Sequence, residues 1–120
     1  MIQGLRTAIY HVDDMTKAKE WYSSVLGFGP YFEEPFYIGF NVGGYELGLL
    51  PNEGSKPAKG GVVTYWGVTD CRMDHQRLLE LGAQPHNEVQ DVGDGILVAA
   101  VLDPWGNIFG VIENPHFKAK

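Results

Sequence analysis

The sequence predicts an α+β protein made of two tandem βαβββ modules, and three observations carry that expectation. Tyr10-His11-Val12-Asp13-Asp14 leads into a helix-like segment that ends at Gly27, and Trp66-Gly67-Val68-Thr69-Asp70 leads into another that ends at Gly82. Each half closes on a matching strand, Glu46-Leu47-Gly48-Leu49-Leu50-Pro51-Asn52 in the first and Ile108-Phe109-Gly110-Val111-Ile112-Glu113-Asn114 in the second. Between helix and closing strand, each half has room for two further short strands. The 120 residues read as one domain, with module one over about 4–52, a linker over about 53–60, module two over about 61–114 and a tail over about 115–120. Duplicated α/β modules place ligand sites at the seam between copies.

Leu5 to Val12 reads as a strand with Arg6, Ala8, Tyr10 and Val12 on one face and Thr7, Ile9 and His11 on the other. Asp13 or Asp14 caps the helix that follows. Its apolar members Met15, Ala18, Trp21, Tyr22, Val25 and Leu26 recur at spacings of three and four, the mark of a core-facing stripe. A short strand falls around Tyr31 to Glu33 between Pro30 and Pro35. Phe36 to Val42 and Tyr45 to Leu50 form a hairpin turned by Gly43-Gly44, which pairs Val42 with Tyr45, Phe40 with Leu47 and Ile38 with Leu49. That register leaves Tyr37, Gly39, Asn41, Glu46, Gly48 and Leu50 on a mixed polar face suited to a ligand.

Residues 51 to 60 are rich in turn formers and join the modules. Val62 to Val68 starts the second, with Val63, Tyr65 and Gly67 on one face. A helix capped by Thr69 or Asp70 carries Met73, Leu78, Leu79 and Leu81 as its apolar members, with His75 solvated. His86 to Gln90 reads as a short strand, and Asp91 to Gly95 has the composition of a mobile lid or of plain turn residues. Ile96 to Asp103 and Asn107 to Ile112 form the last hairpin through Asp103-Pro104-Trp105-Gly106-Asn107. Pairing Asp103 with Ile108 puts Val98, Ala100, Leu102, Phe109 and Val111 beneath the helix and leaves Gly110 with Ala99 and Val101 on a small apolar ligand face. Trp105 covers a cavity mouth or a partner, or is an ordinary exposed indole, and Phe117 packs the tail back on the domain.

Composition excludes several classes of function. Nine basic against fifteen acidic residues give a formal charge of −6, which repels nucleic acid and anionic membrane surfaces. No run approaches the ~20 apolar residues of a membrane span, and the first residues lack the pattern of a secretory leader. The lone Cys71 has no internal disulfide partner and reads as a buried, inert thiol, so a reducing, cytoplasmic setting is expected.

The repeated βαβββ pattern, the Val-(Asp/Thr)-Asp helix entries, the exits Leu26-Gly27-Phe28 and Leu81-Gly82-Ala83, and Asp103-Pro104-Trp105-Gly106-Asn107 before the last strand together resemble the vicinal oxygen chelate superfamily. That group includes glyoxalase I, bleomycin resistance proteins, fosfomycin resistance enzymes and extradiol dioxygenases. The resemblance runs from Leu5 to Glu113 and implies mixed sheets that curl around a shared cavity, within or across a homodimer.

It also implies where a metal would be held. Metal-dependent members carry His, Gln or Glu on the first and last strands of each module, positions that fall here on Thr7, Gly48, Val63 and Gly110. Valine and glycine offer no ligand atom and Thr7 only a weak hydroxyl, so no metal and no other cofactor is expected. The closer likeness is then to the metal-free bleomycin resistance proteins, which sequester a small molecule, here a planar or drug-like one. Candidate ligand-binding residues are Thr7, His11, Tyr37, Asn41, Glu46, Gly48, Tyr65 and Gly110. The two glycines either vacate volume for a ligand or permit close strand packing. The competing reading is a lyase, isomerase or dioxygenase-like enzyme that uses a non-standard metal site, with His11, Glu46 and His86, or a His11/Glu46 acid–base pair with the carboxylate raised by partial burial. Otherwise His11 serves the strand end and Glu46 sits solvated at a rim.

Overall fold

A computed structural model describes residues 1–52 and 63–116. The chain divides into two compact units, Met1–Pro57 and Ala58–Lys120, and each holds one βαβββ module. The linker 53–60, Val62 and Phe117 lie outside the described residues.

Unit one runs β1 (Thr7–Val12), α1 (Met15–Leu26), β2 (Phe32–Glu34), β3 (Tyr37–Val42) and β4 (Tyr45–Pro51). The sheet order is β1-β4-β3-β2, with β1 parallel to β4 and the other neighbours antiparallel. Of the two aspartates before α1, Asp14 is the cap, accepting from the Lys17 amide at 3.0 Å, while Asp13 accepts from the Asn52 side chain. Gly43 and Gly44 take φ of 62° and 93°, the paired positive angles of a two-residue hairpin loop that side chains with a Cβ resist. The register is the expected one, Val42 to Tyr45, Phe40 to Leu47 and Ile38 to Leu49. Consequently Ile38, Phe40, Leu47 and Leu49 are buried with Tyr10, Val12, Ala18 and Tyr22, and Tyr10 stacks on Tyr22 at 5.7 Å. The expected strand ends move slightly: β1 opens at Thr7 rather than Leu5, and β2 covers Phe32 to Glu34. Phe36 leaves the strand because Pro35-Phe36 is the turn, with Glu34 opposite Tyr37.

Unit two runs β5 (Tyr65–Gly67), α2 (Cys71–Glu80), β6 (Gln84–Asp91), β7 (Leu97–Leu102) and β8 (Ile108–Glu113), in sheet order β5-β8-β7-β6. Asp70 is the cap, and α2 ends with Gly82 N–H donating to Leu79 O and Ala83 N–H to Leu78 O, which satisfies two otherwise unpaired carbonyls. Cys71 is fully buried as expected and its amide donates to the Glu113 carboxylate at 2.9 Å; burial pushes its thiol up. Met73 does not join the core. Cys71 and Leu78, seven apart, define the buried stripe, and Met73 lies two residues round the helix, 67% exposed. His75, four residues from Cys71, is half-buried instead of solvated, its Nε2 enclosed without a hydrogen-bond partner among the described residues. The first strand is three residues long rather than Val62 to Val68, whereas β6 is longer than expected, an edge strand that accommodates Pro85 and two register shifts.

The last hairpin corrects the sequence register by one residue. Leu102 pairs with Ile108, Val101 with Phe109 and Ala100 with Gly110. Asp103 causes the difference. Its buried carboxylate accepts from the Trp105 amide, the Asn107 amide and the Asn107 side chain, at 2.9, 2.8 and 2.9 Å, while its backbone N–H donates to Asn107 O. Asp103 therefore faces Asn107 across a three-residue loop closed by Gly106 at φ 89°, and the strands begin beyond that pair. A one-residue slip exchanges faces, so Ala99, Val101, Phe109 and Val111 form the buried side, where Trp66 stacks on Phe109. Val98, Leu102, Ile108 and Ile112 are half-buried on the other face with Ala100 and Gly110. Trp105 is half-buried. Asp91 to Gly95 is a hydrogen-bonded turn, with Asp91 accepting from the Gly93 amide and Val92 N–H donating to Ile96 O. No helix among the described residues is long and apolar enough to cross a membrane.

Candidate functional site

The sheet of unit one exposes the face opposite α1, and Glu46 stands on it. In the register of β4, Glu46 lies opposite Thr7 of β1 on one side and Asn41 of β3 on the other. Tyr37, four residues before Asn41 on β3, presents its hydroxyl to the same carboxylate. Tyr31 reaches it from just before β2, where its backbone N–H donates to Gly39 O at 3.0 Å and lays the ring beside Gly39.

Three hydroxyls thus converge on one carboxylate. Thr7 Oγ1 donates to Glu46 Oε1 at 3.1 Å, Tyr37 Oη donates to the same oxygen at 2.7 Å, and Tyr31 Oη donates to Oε2. A carboxylate has about four acceptor sites, and three of them are taken by these hydroxyls. Hydrogen bonds from Tyr31 first, then Tyr37, hold the Glu46 carboxyl below the usual carboxylate range, outweighing the opposing effect of burial. The competing acid–base reading of the sequence has partial burial raise this carboxylate. The hydroxyls reverse that, because each stabilises the charged form. Burial and then the bond to Glu46 push the Tyr37 phenol well above its ordinary value, and the bond to Glu46 raises that of Tyr31. At neutral pH the group is an anion ringed by protonated phenols. It can accept a hydrogen bond from a ligand or pair with a cation, and it holds no proton to give.

Aromatic rings surround this anion. Tyr31 is 62% exposed, Phe32 tilts against both Tyr31 and Tyr37, and Ile9 is exposed beside Gly48. The space next to Gly48 is filled by the chain itself. A Cβ there would come within 2.9 Å of Tyr37 Cζ and 2.8 Å of Ile9 Cδ1. Gly110 in unit two is enclosed in the same manner, with Thr64 O and Tyr65 Cδ1 each 2.7 Å from a Cβ, and Tyr65 is its register partner on β5. A cleft of about 280 Å3 opens at the Gly43-Gly44 end of the sheet, and Arg6, Tyr31, Asn41, Tyr45 and Glu46 line it. A larger cleft, about 510 Å3, lies between α1 and the β2–β3 turn, where Lys19 and Glu33 pair at 2.8 Å.

Of the candidate residues, Thr7, Tyr37, Asn41, Glu46 and Gly48 come together on this face. His11 shares the face but lies opposite Leu50, four residues along β1 from Thr7, or ~13 Å at ~3.3 Å per residue. The register therefore does not bring His11 and Glu46 together for proton transfer. Tyr65 and Gly110 form a pair in unit two, Val63 precedes β5, and His86 is exposed on the edge strand β6. Tyr31 and Arg6 were not among the candidates. The tight Pro35-Phe36 turn was the available signal for Tyr31, since it sets Phe32 opposite Gly39 and so brings the residue before it alongside β3.

Solved structures share this architecture. A glyoxalase-related enzyme from Fulvimarina pelagi aligns with a TM-score of 0.80 at 20% identity, over 99% of this chain and 94% of its own. A superfamily member from Sphaerobacter thermophilus gives 0.75 at 21% identity, over 94% and 98%. A glyoxalase/bleomycin resistance protein from Catenulispora acidiphila gives 0.69 at 23% identity, over 93% and 100%. At such identities the likeness is one of fold. No curated protein matches the chain. Its sequence does match the family model of the Glyoxalase/Bleomycin resistance protein/Dioxygenase superfamily over residues 4–111, nearly its whole length, and with the two βαβββ modules this places the chain in that superfamily.

Proposed function

We propose that this protein binds a small molecule without a metal, on the open face of unit one, and sequesters it. The observation that carries the reading is the Glu46 carboxylate, held ionised by Thr7, Tyr31 and Tyr37 on a face where aromatic rings stand exposed. A prearranged polar group among apolar surfaces orients a ligand, and the rings give it area to stack on. A planar compound bearing an N–H donor fits both features. Thr, Gly, Val and Gly at the four positions where relatives would hold a metal support the metal-free part of the reading.

The reading includes a homodimer working in the cytoplasm, with neither nucleic acid nor membrane as partner. Half-buried apolar side chains on the open face of unit two support the dimer, and the net charge of −6 supports the exclusions.

Metal analysis of protein purified without chelators, joined to a thermal-shift screen of planar aromatics, glycopeptide-like drugs and small oxo-acids, tests the function. A compound at 100 times its Kd stabilises the native state by about 2.7 kcal/mol, enough to move the midpoint by several degrees. The reading expects such a shift in chelator-treated protein. Stoichiometric Ni, Zn, Fe or Mn that survives dialysis would overturn the metal-free part.

A further inference from the structure

We infer that the open face of unit one takes its small molecule by an alkylated ammonium group, seated among the rings of Tyr31, Phe32 and Tyr37 beside Glu46; a trimethylammonium head is the simplest kind. The inference rests on the reading of this face as a ligand site and narrows its ligand class. Gly39 brings the charge and the rings together. Measured from the place a Cβ would take there, Glu46 Oε2 lies at 2.7 Å, Tyr31 Cε1 at 3.2 Å and Tyr37 Cε2 at 3.4 Å, so the carboxylate and both tyrosines gather over one bare stretch of backbone. Phe32, opposite Gly39 in the register, completes the group, its ring centroid 6.4 Å from that of Tyr31 and 6.1 Å from that of Tyr37. Tyr31 and Phe32 are both exposed, so their rings are open to a ligand.

The group holds a negative charge that no basic side chain answers. Glu46 forms no ion pair among the described residues, and its contacts are the hydroxyls of Thr7, Tyr31 and Tyr37. Arg6 borders the neighbouring cleft, but strand alternation sends its side chain to the face opposite Thr7 and Glu46. A cation from outside would balance the charge, and the surroundings decide which cation fits. A primary ammonium brings three N–H donors, each of which must trade water for an acceptor, while the hydroxyls already take three of the carboxylate's about four acceptor sites. An alkylated ammonium asks for one acceptor or none. It gains from the charge of Glu46, which acts at a distance, and from aromatic faces whose centroids lie within about 6 Å of it.

The experiment is an amide NMR titration of the whole chain with choline at constant ionic strength, run beside 3,3-dimethylbutan-1-ol, its uncharged isostere, and ethanolamine, its primary ammonium counterpart. Saturable shifts at Thr7, Phe32, Gly39 and Glu46 are expected with choline, and about tenfold weaker binding with either analogue. Tyr31→Leu and Glu46→Gln should each weaken choline binding by about that factor, whereas Tyr31→Phe, which keeps the ring, should leave it nearly unchanged. Equal binding of the uncharged isostere, or of ethanolamine, overturns the alkylated cation while leaving a ligand site on this face. Phosphatidylcholine vesicles, which carry the same head, should not sediment the protein; if they do, a small molecule is the wrong source of that head. Failure of choline to shift these amides at up to ~10 mM overturns the inference too. If planar compounds from the screen still bind, the fault lies in the ligand class alone; if none does, the functional reading fails with it. The analogue comparison needs only the unmutated protein, so an unstable variant does not blunt the test.

Discussion

Glu46 owes its acidity to its neighbours, and that has a consequence for stability. Its carboxyl titrates below the ordinary 4.5 when folded, whereas in the unfolded chain the hydroxyls are gone and it takes a proton near that value. Just beneath about pH 4.5 the unfolded state therefore binds more protons, so stability there rises with pH. The contribution is complete above that range and is lost as pH falls through the folded value. Urea midpoints measured from about pH 5 to about pH 3 should fall more steeply for the wild type than for Glu46→Gln. Two glycines make a second residue-level comparison. A Cβ on Gly48 meets the ends of Tyr37 and Ile9, which can swing aside, but one on Gly110 meets the backbone oxygen of Thr64. Gly110→Ala should cost about 1–3 kcal/mol and Gly48→Ala less, as read from denaturant midpoints. What was legible at this scale was Glu46 with Thr7, Tyr37 and Asn41, because alternation and a two-residue turn fix which side chains share a face. Tyr31 was not legible, since its position depends on a turn at Pro35-Phe36 that resembled the start of a strand.

At the scale of the element, hairpins decide the outcome. Gly43-Gly44 tolerates the positive φ angles of a two-residue loop, and the register of β3 on β4 followed from sequence alone. In the second hairpin the same reasoning missed by one residue, because the loop length is set by a buried carboxylate whose partners no periodicity reveals. Removing it should be severe: Asp103→Ala strands the amides of Trp105 and Asn107 and the Asn107 side chain, costing about 2–4 kcal/mol by urea denaturation. Asp103→Asn, which keeps one acceptor oxygen, should cost less. The helices divide similarly. The stripe of α1 was plain from spacing, while α2 packs through Cys71 and Leu78 and turns Met73 to solvent. Leu78→Ala should cost about 2–5 kcal/mol, and Met73→Gln should stay within about 0.5 kcal/mol.

For the whole molecule, duplication was the feature easiest to read, since each copy repeats strand, helix entry, helix exit and closing strand in order. The frame is alike in the two units, yet the open faces differ in kind: Thr7, Tyr31, Tyr37 and Glu46 make a polar centre on one, and aliphatic side chains with Tyr65 cover the other. The functional account rests on the first. Its most direct test is the melting temperature of chelator-treated wild type and Glu46→Gln across one compound panel, measured with and without added divalent metal. The account predicts that at least one compound raises the wild-type midpoint without metal, and that the shift disappears in Glu46→Gln while the variant's own melting stays cooperative. Shifts that need added metal, or that survive intact in Glu46→Gln, would contradict it.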